Sequence, residues 1–247
     1  MRKKRYHKFT EQLVFAIVMR DAALCKELIE RIIPDRKVRE IRFAENPVMD
    51  ALARAIADGF YGTQEKDSNT PGQMTAETEK VLIPALLSKS VRFDVLFEDE
   101  AAWFDIEMQV DWESDMPLRI RYYQASKTIT SLESGDDYRE LKPGYVIFIC
   151  LFDYFGSGEA LYRFQTLEEK LHLPLDDKQF TIILNLKCSE EKIPEELRSF
   201  YRYVNNGEAG DDTFTLRIKE LVDRANESAE VQNMITFAGD MAEIEAT

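Results

Sequence analysis

Two short segments of alternating side chains, residues 90–97 and 103–110, constrain the fold more than any other feature of the sequence. Successive side chains of a strand point to opposite faces. Each segment therefore has one apolar face, formed by Val91, Phe93, Val95 and Phe97 in the first and by Phe104, Ile106, Met108 and Val110 in the second. The acidic residues between them, centred near Glu100, predict a turn. The pattern thus predicts an antiparallel hairpin in which paired residue numbers sum to about 201.

The same register predicts a group of carboxylates on the other face of the hairpin. It places Asp94 opposite Glu107 and Arg92 opposite Gln109, with Asp105 on the same face. Opposed carboxylates repel each other, and a divalent cation would remove the repulsion because hard cations bind carboxylate and carbonyl oxygens. From the pattern alone, a solvated acidic face is the alternative, since a shift of one residue would change every pair.

The rest of the chain alternates between helical and strand patterns. Helical spacing or capping signals predict helices over residues 9–33, 48–57, 117–134, 194–204 and 213–237. Alternating or continuous apolar runs predict strands over residues 38–43, 144–155 and 180–186, and the polar residues 63–78 predict a loop. This order favours an α/β fold with a mixed β-sheet flanked by helices.

The length and charge of the chain bound its organisation and its partners. At 247 residues it is long enough for one large domain, or for one domain with an appendage. We expect one domain over residues 1–206 and a C-terminal helical extension over 207–247. The net charge of −14 argues against a large non-specific nucleic-acid surface. A nucleic-acid partner would therefore have to be held by local basic residues and a bound cation.

Few residues are available for other kinds of site. The two histidines, His7 and His172, argue against a histidine-rich zinc site and a serine–histidine–aspartate triad. The three cysteines, Cys25, Cys150 and Cys188, are far apart and predict buried, reduced thiols and a cytoplasmic location. No apolar run approaches the ~18 residues of a membrane span. We therefore expect no membrane partner.

Several segments, taken in order, resemble a known nuclease family. They are SKSVRFDVLFEDE with WFDIEMQ, then LRIRYYQ, then YRELKPGYVIFICLFD. They resemble the PD-(D/E)XK nuclease superfamily and, within it, the recombination-promoting nuclease/transposase family. LVFAIVMRDAALCKELIERII is similar to the first helix of that family, and FTIILNL with EELRSFYRYVNNG to its C-terminal half. The resemblance covers most of the chain except roughly residues 60–85. It implies a restriction-endonuclease-like core with additional C-terminal α/β elements.

The resemblance also implies a metal site in the hairpin. Asp94 matches the metal-binding aspartate of the family, and Glu107 matches the acidic residue of the (D/E)XK motif. With the carbonyl of Met108, they would hold one or two Mg²⁺ ions, or Mn²⁺. Gln109 stands where the superfamily usually has lysine, although this family commonly carries glutamine there. A glutamine supplies neither positive charge nor a proton, but it can orient a water molecule or a phosphate through hydrogen bonds.

The helix after the hairpin carries the residues that the resemblance assigns to the substrate. Arg119, Arg121 and Gln124 match an RxRYYQ-like segment and are expected to contact phosphate or DNA, because arginine binds phosphate through paired donors. A solvated helix edge is the alternative for the two arginines. Tyr123 is expected to pack rather than react. Glu11 is either an ordinary surface residue or an extra acid close to the metal.

The function implied by these matches is that of a metal-dependent DNA endonuclease of a transposase or recombination-promoting type. DNA is the expected partner and a homodimer a further expectation. The alternative from another class is a catalytically degenerate nuclease fold that serves as a DNA-binding or assembly module. A metal-dependent RNase is a third reading.

Overall fold

A mixed sheet of six strands lies at the centre of the protein. The computed structural model describes residues 5–57 and 94–245. The strands are β1 (Arg42–Phe43), β2 (Val95–Glu98), β3 (Trp103–Gln109), β4 (Gly144–Cys150), β5 (Leu161–Phe164) and β6 (Gln179–Asn185). Their order in the sheet is β1-β2-β3-β4-β6-β5. Strands β3, β4 and β6 are parallel, and the other neighbours pair antiparallel. The prediction of an α/β fold with a mixed sheet is confirmed.

Helices cover both faces of this sheet. They are α1 (Gln12–Val18), α2 (Ala22–Ile32), α3 (Pro47–Ala57), α4 (Met116–Ile129), α5 (Arg198–Asn206), α6 (Thr213–Glu227) and α7 (Ala229–Glu245). Short 3₁₀ turns lie at Tyr138–Glu140, Glu190–Lys192 and Glu195–Leu197. Among these helices of the described residues, none is long and apolar enough to cross a membrane.

The hairpin formed by β2 and β3 has the predicted register. Val95 pairs with Ile106 and Phe97 with Phe104, so paired numbers sum to 201. The turn is held by Asp99, whose Oδ1 accepts the backbone N–H groups of Ala101 and Ala102, both at 2.8 Å. Residues 90–93, with which the predicted first strand began, lie outside the described residues, as does the predicted loop 63–78.

The two faces of β3 enter two different apolar clusters. Phe104, Ile106 and Met108 face the larger cluster, which also contains buried side chains of α1, α2, α5 and α6. Trp103 faces the smaller cluster, where the α4 side chains Met116, Ile120 and Tyr123 pack on β4 and β6. By alternation, Asp105 and Glu107 lie on the α4 side, and both are buried. The alternative of a solvated acidic face is therefore wrong for β3.

The single helix expected over residues 9–33 is wrong, because the structure divides it into α1 and α2. Asp21 begins α2: its carboxylate accepts the N–H groups of Ala23 and Leu24. An aspartate satisfies the free N–H groups of a first helical turn and so favours a new start over continuation. The apolar spacing continues across the break because both helices contribute buried side chains, such as Ile17 and Leu24, to the same cluster.

The helix expected over residues 213–237 is likewise two helices, α6 and α7, separated by Ser228. The backbone of Ser228 is extended, with φ −66° and ψ 124°, and its hydroxyl accepts the N–H of Val231 at 3.3 Å. Other predicted elements are shorter than expected: residues 38–43, 117–134 and 144–155 contract to β1, α4 and β4. Residues 194–204 instead form a 3₁₀ turn followed by α5, which ends at Asn206. The sequence patterns do not predict the short edge strand β5.

The C-terminal helices share the core of the sheet. Phe214, Ile218 and Leu221 of α6 are buried in the same cluster as Phe15 of α1 and Leu28 of α2. The division into residues 1–206 and 207–247 stays a prediction. The three cysteines are free: Cys25 and Cys150 are buried, and Cys188 is half-buried.

Gly144 offers a test of how tightly the α4 side of the sheet is packed. It pairs with Trp103 across β3 and β4, and a Cβ at this position would overlap the indole ring of Trp103. Gly144→Ala is expected to lower the free energy of unfolding by about 1–3 kcal/mol, the usual cost of overpacking. Urea unfolding followed by circular dichroism measures it. In a Trp103→Leu background the added cost should largely disappear, and an equal cost in both backgrounds would contradict this account of the packing.

Candidate active site

Asp94 and Glu107 are joined through the backbone of the hairpin. The N–H of Asp94 donates to Glu107 Oε1 at 2.9 Å. In return, the N–H of Met108 donates to Asp94 Oδ2 at 3.1 Å. Asp94 directly precedes β2 and Glu107 lies within β3, so each carboxylate is fixed by a main-chain group of the opposite strand. The two predicted metal ligands therefore lie together in a defined geometry.

The carbonyl of Met108 points to the same edge of β3 as Asp94. The N–H and C=O of one strand residue point to the same side, and the side alternates along the strand. The N–H of Met108 is bonded to Asp94, whereas the carbonyl of Gln109 accepts from Leu151 N at 3.0 Å, on the β4 side. Three hard oxygen donors, from Asp94, Glu107 and Met108, therefore share one edge.

The acidic side chains of β3 are almost completely buried. Asp105 is 0% exposed and Glu107 2%. Burial raises the pKa of Glu107 well above its usual range, and the charges of Asp105 and Asp94 raise it further. Burial and the charge of Asp94 likewise raise the pKa of Asp105. Burial also raises the pKa of Asp94, although hydrogen bonds from Gln12 and Met108 oppose that shift. The site thus brings three acidic groups together in a region of low dielectric, where burial opposes their ionised forms.

This set of donors fits a divalent cation. Both carboxylate oxygens of Asp105 are buried, and its side-chain hydrogen bond is with another carboxyl group, that of Glu107, so acidic groups crowd the site. The same described residues contain no group of three or more His, Cys, Asp or Glu side chains arranged to enclose a metal. Mg²⁺ commonly binds through only one or two carboxylates and keeps several waters. Two carboxylates and a carbonyl are consistent with that mode of coordination.

Arg119 reaches the site from α4, the helix that covers this face of the sheet. Its Nη1 donates to Gln109 Oε1 at 3.1 Å and to Glu113 Oε2 at 2.7 Å. Its Nη2 lies 3.8 Å from Glu107 Oε2 and donates to the hydroxyl of Tyr123 at 3.3 Å. The alternative of a solvated helix edge is therefore wrong for Arg119, which is half-buried among these groups.

Gln109 links this arginine to the loop after β3. Its Oε1 accepts from Arg119, while its Nε2 donates to the carbonyl of Asp111 at 2.8 Å. A lysine ammonium has no acceptor, so it could not accept the hydrogen bond of Arg119. The amide at this position thus fits a site in which α4 supplies the positive charge.

The other two residues expected to contact the substrate lie apart from this group. Arg121 is exposed on α4. Gln124 donates through Nε2 to Thr181 Oγ1 on β6 at 3.1 Å, and so fastens α4 to the sheet. Their contacts with phosphate or DNA stay predictions.

A residue that the sequence reasoning missed contacts Asp94. Gln12, the first residue of α1, donates through Nε2 to Asp94 Oδ1 at 2.7 Å. Its neighbour Glu11, considered above as an acid close to the metal, instead lies 2.8 Å from His7 Nδ1 and accepts the N–H of Lys8. The sequence signal for Gln12 is weak, because a polar residue at the start of a helix is ordinary.

The link through Gln109 can be tested by stability. Gln109→Met keeps the length of the side chain but removes both hydrogen bonds, and it should lower the free energy of unfolding by about 1 kcal/mol or somewhat more. Gln179→Met, at an exposed position of β6, is the matched control and should change it by less than about 0.5 kcal/mol. Equal urea midpoints for the two variants would show that the amide does not link Arg119 to the loop.

The raised pKa of Glu107 predicts a pH dependence of the metal-free protein. Its folded-state pKa lies above the ordinary value of 4.5, so its stabilising contribution is complete below that value and is lost as the pH rises through the folded pKa. In EDTA, Glu107→Gln should therefore unfold at higher urea than the wild type at pH 8. The difference should shrink as the pH falls toward 4.5. A difference independent of pH would contradict this account.

The comparisons with known proteins agree with this geometry. The model of the PD-(D/E)XK nuclease family transposases matches residues 77–236, more than half of the chain. No curated protein and no solved structure matches the chain. Nucleases of this superfamily generally use divalent metals, and the mixed sheet with its flanking helices is their restriction-endonuclease-like fold. The chain belongs to the PD-(D/E)XK nuclease family transposases.

Proposed function

We propose that this protein is a metal-dependent endonuclease that hydrolyses phosphodiester bonds in DNA. The observation that carries the proposal is the pair of hydrogen bonds through which the hairpin backbone fixes Asp94 and Glu107 beside the carbonyl of Met108. Such fixation costs no reorganisation when a cation binds, since the donors already face one edge of the sheet. A solvated acidic surface has no need of it.

Asp94, Glu107 and the carbonyl of Met108 would hold Mg²⁺ or Mn²⁺. The bound ion would lower the pKa of a water molecule and stabilise charge on the scissile phosphate. Gln12 fixes Asp94 Oδ1 from the side of α1. The main-chain N–H of Asp94 fixes Glu107 in the same way. The hairpin and α1 thus both help to hold the two ligands in place.

Arg119 would steady the phosphate next to the metal. Its guanidinium lies within 3.8 Å of Glu107, and its planar donors suit phosphate oxygens. Gln109 cannot take up a proton at neutral pH, so we assign it the orientation of Arg119 and of the attacking water rather than general-base catalysis. With a net charge of −14, the protein would depend on the cation and on such arginines to approach DNA, and its activity should fall steeply with salt.

The test is the nicking of supercoiled plasmid in Mg²⁺ or Mn²⁺, with EDTA as the negative control. Asp94→Asn and Glu107→Gln keep the shape of the side chains and should lower the rate by more than about 100-fold, since even the loss of a residue behind the ligands costs 10–100-fold. Glu98→Gln is the matched control, because it removes one negative charge from the same hairpin at a residue that faces Lys127 and Lys142. It should keep the wild-type rate.

Other results of this assay would point to other conclusions. Equal nicking by all variants would identify a contaminating nuclease and remove the assignment. DNA binding without cleavage by the wild type would support the degenerate module considered from the sequence. Cleavage of RNA alone would make the protein a metal-dependent RNase.

A further inference from the structure

A row of aromatic rings follows the ends of β3 and β4. Trp112, in the loop after β3, stacks on Tyr154, in the loop after β4, with ring centroids 5.9 Å apart and planes inclined by 18°. Tyr154 contacts Phe155 at 5.1 Å, and Phe155 contacts Phe164 of β5 at 5.3 Å. We call these four residues the aromatic row. Trp112 is 58% exposed, Phe155 41% and Phe164 43%, so much of the row is accessible to solvent.

Trp112 is joined to the candidate active site through both of its neighbours in the chain. The carbonyl of Asp111, the residue before it, accepts from Gln109 Nε2 at 2.8 Å. The carboxylate of Glu113, the residue after it, accepts from Arg119 Nη1 at 2.7 Å. Neighbouring Cα atoms are about 3.8 Å apart, so the indole ring lies next to two residues that contact active-site side chains.

The loops that carry the row are held in place by hydrogen bonds. The hydroxyl of Tyr154 donates to the carbonyl of Ser114 at 3.2 Å, which joins the loop after β4 to the loop after β3. Asp153 accepts the N–H of Gly158 at 2.7 Å and the hydroxyl of Tyr162 at 2.8 Å. Both tyrosines also pack against the apolar cluster on the side of the sheet that α4 covers. A surface that is already ordered loses little conformational freedom when it binds a ligand.

Packing within the chain does not account for the exposure of this surface. Aromatic side chains contribute most to stability when they bury their large area, and contiguous exposed apolar surface commonly marks an interaction site. Within residues 5–57 and 94–245, the one ring contact of Trp112 is with Tyr154, and more than half of the tryptophan stays accessible. The row therefore has room for a further flat, apolar group.

An unpaired nucleotide base is the group that this surface fits. The net charge of −14 limits the affinity that phosphate contacts can supply. Stacking on an aromatic ring is open to every base and needs no positive charge on the protein. The bases of an intact duplex are stacked on each other and must be unstacked before a side chain can reach their faces. The row therefore favours a strand whose bases are already unpaired.

We propose that Trp112 and the aromatic row stack unpaired bases of the DNA strand beside the scissile phosphate, so that the substrate of this site carries a single-stranded segment there. The inference rests on the proposed nuclease function and names its substrate class. Trp112, through its links to Gln109 and Arg119, takes the base closest to the reacting phosphate. Phe155 and Phe164 take bases further along the strand.

The experiment is titration of the full chain in MgCl₂ with a short oligothymidylate and with a blunt duplex of the same length. The parent protein is the Glu107→Gln variant, which should bind DNA without cutting it. Trp103 and Trp112 are the two tryptophans of the chain, and Trp103 is buried, so quenching of tryptophan fluorescence by the single strand reports contact at Trp112. The parent should also bind the single strand more tightly than the duplex.

Replacing Trp112 in this parent separates stacking from charge. Trp112→Leu should abolish the quenching and raise the Kd for a labelled single strand, measured by fluorescence anisotropy, by about 5–150-fold, the effect of losing one stacked base. The slope of log Kd against log salt concentration should not change, because no phosphate contact is removed. The Kd for the duplex should change little. Trp112→Phe keeps a ring and should keep most of the affinity.

Tyr138→Leu is the matched control. Tyr138 is also an exposed aromatic residue, but it lies in the 3₁₀ turn before β4, whereas Trp112 follows the end of β3. Since β3 and β4 are parallel, the two residues lie at opposite ends of these strands. Tyr138→Leu should leave both the quenching and the two affinities unchanged.

The outcomes separate this inference from the proposed function. If the wild type nicks plasmid but Trp112→Leu binds the single strand as tightly as its parent, or loses duplex affinity equally, the role of the row is overturned and the nuclease assignment stands. Quenching at Trp112 in a protein whose wild type cuts no DNA overturns the nuclease function and leaves base stacking intact. An oligothymidylate that quenches nothing overturns the inference. If Trp112→Leu then also loses a dimer that the wild type forms in size-exclusion chromatography, the row is an interface between copies of the chain.

Discussion

The face of β3 that carries Asp105, Glu107 and Gln109 is closed by α4, and the properties of the site follow from that closure. A carboxylate on an open hairpin would stay hydrated and ionised at little cost. Under Met116, Ile120 and Tyr123 of α4, the same carboxylate loses its water, and every remaining interaction becomes stronger. The hydrogen bonds between Asp94 and β3 and the approach of Arg119 compensate part of this cost. The part of the cost that remains is the part that a bound cation would offset.

Much of this arrangement could be predicted from the sequence. The alternation of residues 91–110 and the acidic turn predict the hairpin register together: a shift by one residue would put the apolar residues of the two strands on opposite faces, and the position of the turn selects among the remaining registers. The apolar run of residues 145–152 predicts a buried strand, which is the parallel neighbour of β3. The resemblance implied Asp94, Glu107 and Met108, and the structure brings them to one edge.

The remainder depended on interactions that are not local in sequence. The break at Asp21 combines a local cap of α2 with an ion pair to Arg217 of α6, and helical periodicity alone does not reveal this distant contact. Gln12 reaches Asp94 across more than eighty positions of the chain. The burial of Asp105 depends on where α4 crosses the sheet, so alternation could name its face but could not show that this face is covered.

The claim on which the account depends is that the edge formed by Asp94, Glu107 and Met108 holds a divalent cation. The most direct measurement is the anomalous diffraction of crystals grown with Mn²⁺. The account predicts one strong peak at about 2.0–2.3 Å from a carboxylate oxygen of Asp94, one of Glu107 and the carbonyl oxygen of Met108, with Asp105 outside the coordination shell. A peak that excludes Asp94 and Glu107, or no peak at saturating Mn²⁺, would contradict it.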